Sequence, residues 1–144
     1  MNSTDWPASS GKKQIFIGAP KHLDRIDTLQ WHITTRNFFA WLLSKPLAGA
    51  QLGVVMSDLL DRMQEYRERD IDCVKDLLDF AEELGYSQLA HRPENAAAML
   101  VLAERQRLRP QWLNGFSHCV GMSEAVVQTP DYEVHNPAPL YATA

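Results

Sequence analysis

A chain of 144 residues is long enough for one domain with its own core and needs no disulfide or metal staple. Hydrophobic residues make up 45% and charged residues 22%, and the formal net charge of −4 argues against a broad electrostatic grip on nucleic acid or an acidic membrane. Two cysteines, Cys73 and Cys119, are too few for a disulfide framework, and no apolar run reaches the length of a membrane span. With no apolar signal-peptide core in residues 1–13 either, the expectation is a soluble, intracellular protein of the cytoplasm.

Residues 1–13 are polar and turn-rich, which predicts a flexible N-terminus. "QIFIG", Gln14 to Gly18, is β-prone but has no evident partner, so it reads as a short strand or an extended arm. Leu23, Ile26 and Leu29 recur every three residues and predict a short helix after Pro20. In "WHITTRNFFAWLLSKP", Trp31 to Pro46, Thr34 or Thr35 is placed to cap a further helix, which must stop before Pro46. Its apolar residues occupy nearly the whole circumference, so it is expected to be buried, within the domain or in an assembly.

The clearest segment follows, "GAQLGVVMSDLLDRMQEYR". Leu52, Val55, Met56, Leu59, Leu60 and Met63 form one stripe at spacings of three and four, with Asp58, Asp61, Arg62 and Glu65 off it. Asp70 is a candidate cap for the next helix, in which Ile71, Val74, Leu77, Leu78, Ala81 and Leu84 repeat the pattern up to Gly85, a candidate left-handed stop. Pro93 suits the first turn of a helix through "ENAAAMLVLAERQRL". Pro110 opens another, with Trp112, Leu113, Phe116, Cys119 and Val120 on its expected packed side. After Met122 the periodicity stops, and three prolines in "TPDYEVHNPAPLYATA" predict an extended or disordered tail over 123–144. The expected fold is therefore all-α: one domain of about five helices over 14–122, with loose ends.

Few residues nominate chemistry. The five histidines and two cysteines show no Cys-x-x-Cys, His-x-x-x-His or His-Glu-x-x-His spacing, and adjacent His118 and Cys119 diverge on a helix. A metal site would need Cys73, His91, His118 and Cys119 to meet by folding, and a Cys119 nucleophile would need a distant histidine. Asp58 with Asp61, and Asp76 with Asp79, sit three apart and could pair for acid–base work, but each pair reads more simply as part of a solvated face. Arg105, Arg107 and Arg109 form the nearest thing to a basic cluster; they fit a helix C-terminus better than a phosphate site. Arg36, beside so many apolar residues, must reach a carboxylate, carbonyls or water. A clamp onto Asp58 or Asp61 competes there with a contact to a partner's carboxylate.

The run "WHITTRNFFAWLLSKPLAGAQLG", with the later "FSHCVGM", resembles an uncharacterised helical domain of filamentous-fungal proteins. That family carries a similar His-x-Thr-Thr-Arg-Asn-Phe-Phe-Ala segment leading into Lys-Pro-Leu-x-Gly, and the likeness spans about residues 14–122. It brings no activity with it. "AMLVLAERQRLRPQWLNGFSHCV" is also similar to the closing helix pair of BTB domains, although Phe38 and Phe39 follow His32 more closely than in that family. This second likeness implies dimerisation or adaptor work.

The expected function is a protein–protein interaction module, a scaffold or adaptor, with no catalytic site, cofactor or metal. Its partner would be another protein or a second copy, not nucleic acid or membrane, with Arg36, Phe38 and Trp41 as the candidate contact residues. An enzyme or accessory subunit with a site between helices, or a small-molecule-binding helical domain, would need a polar cavity holding a perturbed titratable group.

Overall fold

A computed structural model describes residues 16–135, and these residues are all-α, with seven helices and no strand among them. Two regions expected to form separate helices are one: α1 runs unbroken over Arg25–Leu42. Its cap is Asp24, whose carboxylate accepts from the N–H of Asp27 at 2.8 Å, and not Thr34 or Thr35. Those two hydroxyls instead donate to the carbonyls four residues back, Gln30 at 2.9 Å and Trp31 at 3.0 Å, which is how a helix interior accommodates threonine. α1 stops where Ser44 turns left-handed (φ 52°) and the N–H of Lys45 bonds back to the Ala40 carbonyl at 2.8 Å, before Pro46 is reached.

The next helix, α2 (Leu52–Tyr66), carries the expected stripe into the core: Val55, Met56, Leu59, Leu60 and Met63 are all buried. Arg62, expected on the polar face, is buried as well. Its guanidinium lies 4.6 Å from the centre of the Trp31 ring and 5.5 Å from that of Tyr66, and it donates to Thr35 Oγ1 at 2.8 Å. A planar cation between two aromatic faces is what joins α1 to α2 on this side.

α3 (Cys73–Glu83) is capped by Asp72 and not by Asp70; Asp72 accepts from the Lys75 N–H at 3.0 Å. Gly85 ends α3 in the left-handed region (φ 82°), as its position promised. α4 (Pro93–Gln106) is the centre of the molecule, with every residue from Ala96 to Ala103 buried. Four alanines in that stretch let neighbouring helices come close. On one side a Cβ added to Gly53 of α2 would lie 2.6 Å from the Ala98 carbonyl oxygen. On the other, one added to Gly115 would lie 3.2 Å from the backbone nitrogen of Leu100.

Gly115 belongs to α5 (Arg109–Gly121), whose phase differs from the expected one. Gly115 and Cys119 face the core, Trp112 is half-buried, and Leu113, Phe116 and Val120 are exposed. The arginines of the basic cluster are split across the corner between helices. Arg105 lies in the last turn of α4, Arg107 is its left-handed C-cap, and Arg109 begins α5.

The segment from 123 onward is not an extended tail as far as the described residues go. α6 (Ser123–Val126) and α7 (Tyr132–His135) pack against α4, with Val126, Thr129 and Asp131 buried. Asp131 accepts from the backbone N–H of Gly53 at 3.1 Å and so caps α2, whose own cap position, Gln51, makes no side-chain capping bond. Of the expected strand or arm, Gln14 and Ile15 lie outside the described residues, and Phe16–Gly18 forms no helix or strand. The expected flexible segment 1–13 and residues 136–144 also lie outside them.

Candidate functional site

The face of α1 that meets the body is polar. Thr34, Asn37 and Ala40 are its buried residues, and Asn37 is fully enclosed. The Asn37 amide donates to the Ala48 carbonyl at 2.9 Å and accepts from the Ala48 N–H at 2.8 Å, so a buried amide fastens the loop that leads into α2. Arg36 completes the fastening: it donates to Asn37 Oδ1 and to the Pro46 carbonyl, each at 3.1 Å. Arg36 does not clamp Asp58 or Asp61 as expected; its guanidinium closes on Asn37 and on a carbonyl of its own loop.

The two aromatic contact candidates turn inward. Phe38 and Trp41 are half-buried against the core. Their rings sit 5.5 Å apart at a steep angle, Tyr66 adds a second edge contact to Phe38 at 5.6 Å, and the Arg67 guanidinium lies 5.2 Å from the Trp41 ring. Phe39, Leu42 and Leu43, on a helix expected to be buried in the domain or in an assembly, face outward at 42%, 55% and 67% exposure. Apolar residues around nearly the whole circumference leave this helix free to bury either of two sides. Fully satisfied Asn37 decides between them, because a buried amide with three partners costs less than one left half-bonded.

Outside the C-terminal half of α1 lies the arm. Phe16 and Ile17 share with Thr35, Phe39 and Leu43 a cleft of about 510 Å³, with His32 and Arg36 on its polar side. The result is an exposed apolar cluster on α1, edged by one cation whose position is already fixed.

Titratable groups elsewhere are accounted for by packing. Burial pushes the Asp58 carboxyl above its ordinary 3.8, opposed by nearby Arg105 and Arg62. Asp61 accepts from Gln106 Nε2 at 3.0 Å, and the same amide group bonds Ser57 Oγ at 2.9 Å. Asp61 is thus exposed, as a solvated face requires, while its bond to Gln106 helps seat α2 against the end of α4; Asp58 is half-buried. Asp76 and Asp79 do not pair with each other: Arg67 holds Asp76 at 2.6 Å and Lys75 holds Asp79 at 2.8 Å. Burial raises the Cys119 thiol, which disfavours the thiolate a nucleophile would need. Among the described residues, no three His, Cys, Asp or Glu side chains come together as metal ligands.

Sequence reasoning missed Arg62 and Asp131. For Arg62 the signal was weak, since it lies one position from the stripe residue Met63. For Asp131 the signal lay elsewhere in the chain. "GAQLG" offers no Ser, Thr, Asp or Asn to cap α2, so the helix needed an acceptor from outside.

Residues 74–138 match a domain of unknown function, DUF8004. The match covers rather less than half of the chain, from the first turn of α3 past the end of α7. It takes in the segment after residue 122 together with α4 and α5. No curated protein and no solved structure matches the chain. Among the described residues, no helix is long and apolar enough to cross a membrane.

Proposed function

We propose that this domain is a protein-interaction module, a scaffold or adaptor element, that docks through the outward side of α1 and the arm at Phe16–Ile17. The observation that carries this reading is the exposed cluster of Phe39, Leu42 and Leu43 beside Phe16. Large apolar side chains gathered on one face lose free energy of hydration when a partner covers them, at about 25 cal/mol per Å² removed from water. Arg36 serves the proposed face by fixing its edge, and Phe38 and Trp41 support it from beneath. The likeness of residues 98–120 to BTB closing helices, which implies dimerisation or adaptor work, supports the same class of function.

An enzyme reading draws on Asp58 beside Arg105, which share a cleft of about 210 Å³ with Gln30 and Gln51. Burial raises the Asp58 carboxyl, and its position at the α2–α4 contact explains the displacement.

A pure solution of the chain offers a second copy as partner, so the test is sedimentation velocity across a concentration series. The wild type is expected to self-associate reversibly, and Leu43→Glu or Phe39→Glu to sediment as a monomer with unchanged circular dichroism. A wild type that stays monomeric throughout, or variants that associate like it, overturns this reading.

A further inference from the structure

The outer side of α5 carries a second apolar surface, separate from the one on α1. Leu113, Phe116 and Val120 are 49%, 46% and 59% exposed, and their spacing of three and four places them in one row along the helix. The row starts from a rigid base. The Trp112 ring lies flat on Phe116, with centres 5.0 Å apart and planes within 6°. Trp112 also donates its indole N–H to Glu104 at 3.3 Å. Both rings are therefore held in place before anything binds, which lowers the ordering cost of an interface built on them.

At its N-terminal end the row opens into a cleft of about 600 Å³ between the end of α4 and the start of α5, walled by Ala103, Glu104, Leu108, Trp112 and Leu113. Arg107 and Arg109 stand at the rim of this cleft, and neither guanidinium forms a hydrogen bond or ion pair with any described residue. Arg107 is fixed there as the left-handed C-cap of α4 (φ 56°), while the next residue, Leu108, bonds back to Ala103 at 2.9 Å. The start of α5 has no side-chain cap either, so the positive end of its dipole adds to the same corner. Further along the row, Asn114 and Ser117 are neutral. Two arginines thus outweigh the one carboxylate in this cleft, Glu104, which is held by Trp112, and positive charge prevails at one end of an otherwise apolar row.

We propose that this face binds an amphipathic peptide helix that is acidic at one end. Its apolar residues, at three-and-four spacing, lie along Leu113, Phe116 and Val120. Its carboxylates meet Arg107 and Arg109, where planar guanidinium groups accept them in bidentate fashion. Charge complementarity selects this occupant over a basic or neutral helix. The inference stands independently of the α1 surface, which lies on a different helix.

The test uses the full chain and two fluorescent synthetic helices with leucines at three-and-four spacing, one ending in glutamates and its twin in lysines. The glutamate helix is expected to bind in anisotropy titrations and to shift the Trp112 indole N–H signal in NMR spectra, and the lysine twin to bind at least about tenfold more weakly. Arg107→Glu with Arg109→Glu should reverse that preference, Phe116→Ser should weaken both helices, and Leu43→Glu should change neither. All these positions are exposed, so the variants retain the wild-type circular dichroism. Failure of the glutamate helix to bind, equal binding of the twins, or indifference to the charge reversal overturns the proposal. Self-association that disappears with Phe116→Ser would give the face to a second copy and overturn it as well.

Discussion

Replacing Asp131 isolates the contribution of a helix cap supplied from far along the chain. The carboxylate is buried and accepts from the Gly53 N–H at 3.1 Å, at the open end of α2. Asp131→Ala removes the acceptor and leaves backbone N–H groups at a buried helix start without a partner. Loss of such a cap costs about 0.5–2 kcal/mol, and an unsatisfied buried donor about 1–3 kcal/mol. The expected loss is therefore about 1–3 kcal/mol, or roughly 4–10 °C in melting temperature for a domain of this size. Asp131→Asn keeps an oxygen for Gly53 and should melt close to the wild type. The two variants also separate the cap from its charge. Burial raises the Asp131 carboxyl above 3.8, while the N–H groups of Gly53, Val54 and Leu52 and the charge of Arg105 pull it back only in part. A carboxyl with a higher pKa folded than unfolded binds its proton more tightly in the native state. Its contribution is then fullest below 3.8 and declines as pH rises through the folded value. Urea unfolding followed by circular dichroism should show the asparagine variant gaining on the wild type as pH rises from about 4 towards neutrality. An alanine variant as stable as the wild type at every pH would refute the cap, as would an asparagine variant that loses as much as alanine.

Gly53→Ala should destabilise by about 1–3 kcal/mol in thermal melts despite alanine's better helix propensity, because its Cβ would press on the Ala98 carbonyl at 2.6 Å and on Val101 at 2.8 Å. Gly121→Ala, with nothing within 4 Å, is the control and should be neutral or stabilising. Leu59→Ala should cost about 2–5 kcal/mol in chemical denaturation, since Leu59 is completely enclosed, and Leu59→Asp should abolish the folded circular dichroism spectrum. Trp41→Ala should lower stability by up to about 3 kcal/mol through loss of its contacts with Phe38 and Arg67, whereas Leu43→Glu should leave the melt unchanged. Ending the chain after Met122 should lower the melting temperature at least as much as Asp131→Ala, because it removes buried Val126 and Thr129 along with the cap.

The all-α class and the α2 stripe were legible because a buried helix face leaves a 3.6-residue repeat, and Leu52 to Met63 show it plainly. α1 was harder to read. Its buried contacts run through Thr34, Asn37 and Ala40, so apolar residues spread around the helix left its phase open. α5 misled for a related reason: Gly115 is its closest contact with α4, and glycine adds nothing to a hydrophobic pattern. The segment after Met122 gave no repeat because helices of four residues are too short to show one. The candidate surface on α1 was visible as an excess of apolar residues, but which of them stay outside depended on the hydrogen bonds of one asparagine.

The bond between Gly53 and Asp131 also bears on when the domain can finish folding. Helices α1 and α2 leave the ribosome well before residue 131 is made, and α2 emerges with its first turn uncapped. Contacts this distant in sequence form late, because the intervening chain must first be ordered. Until α4 emerges, Met56, Leu59 and Leu60 lack its cover and are open to chaperones, and after that α2 still waits for its cap. Completion of the core is thus tied to synthesis of the closing segment, and a chain stalled before it would hold its most apolar helix in an unfinished state.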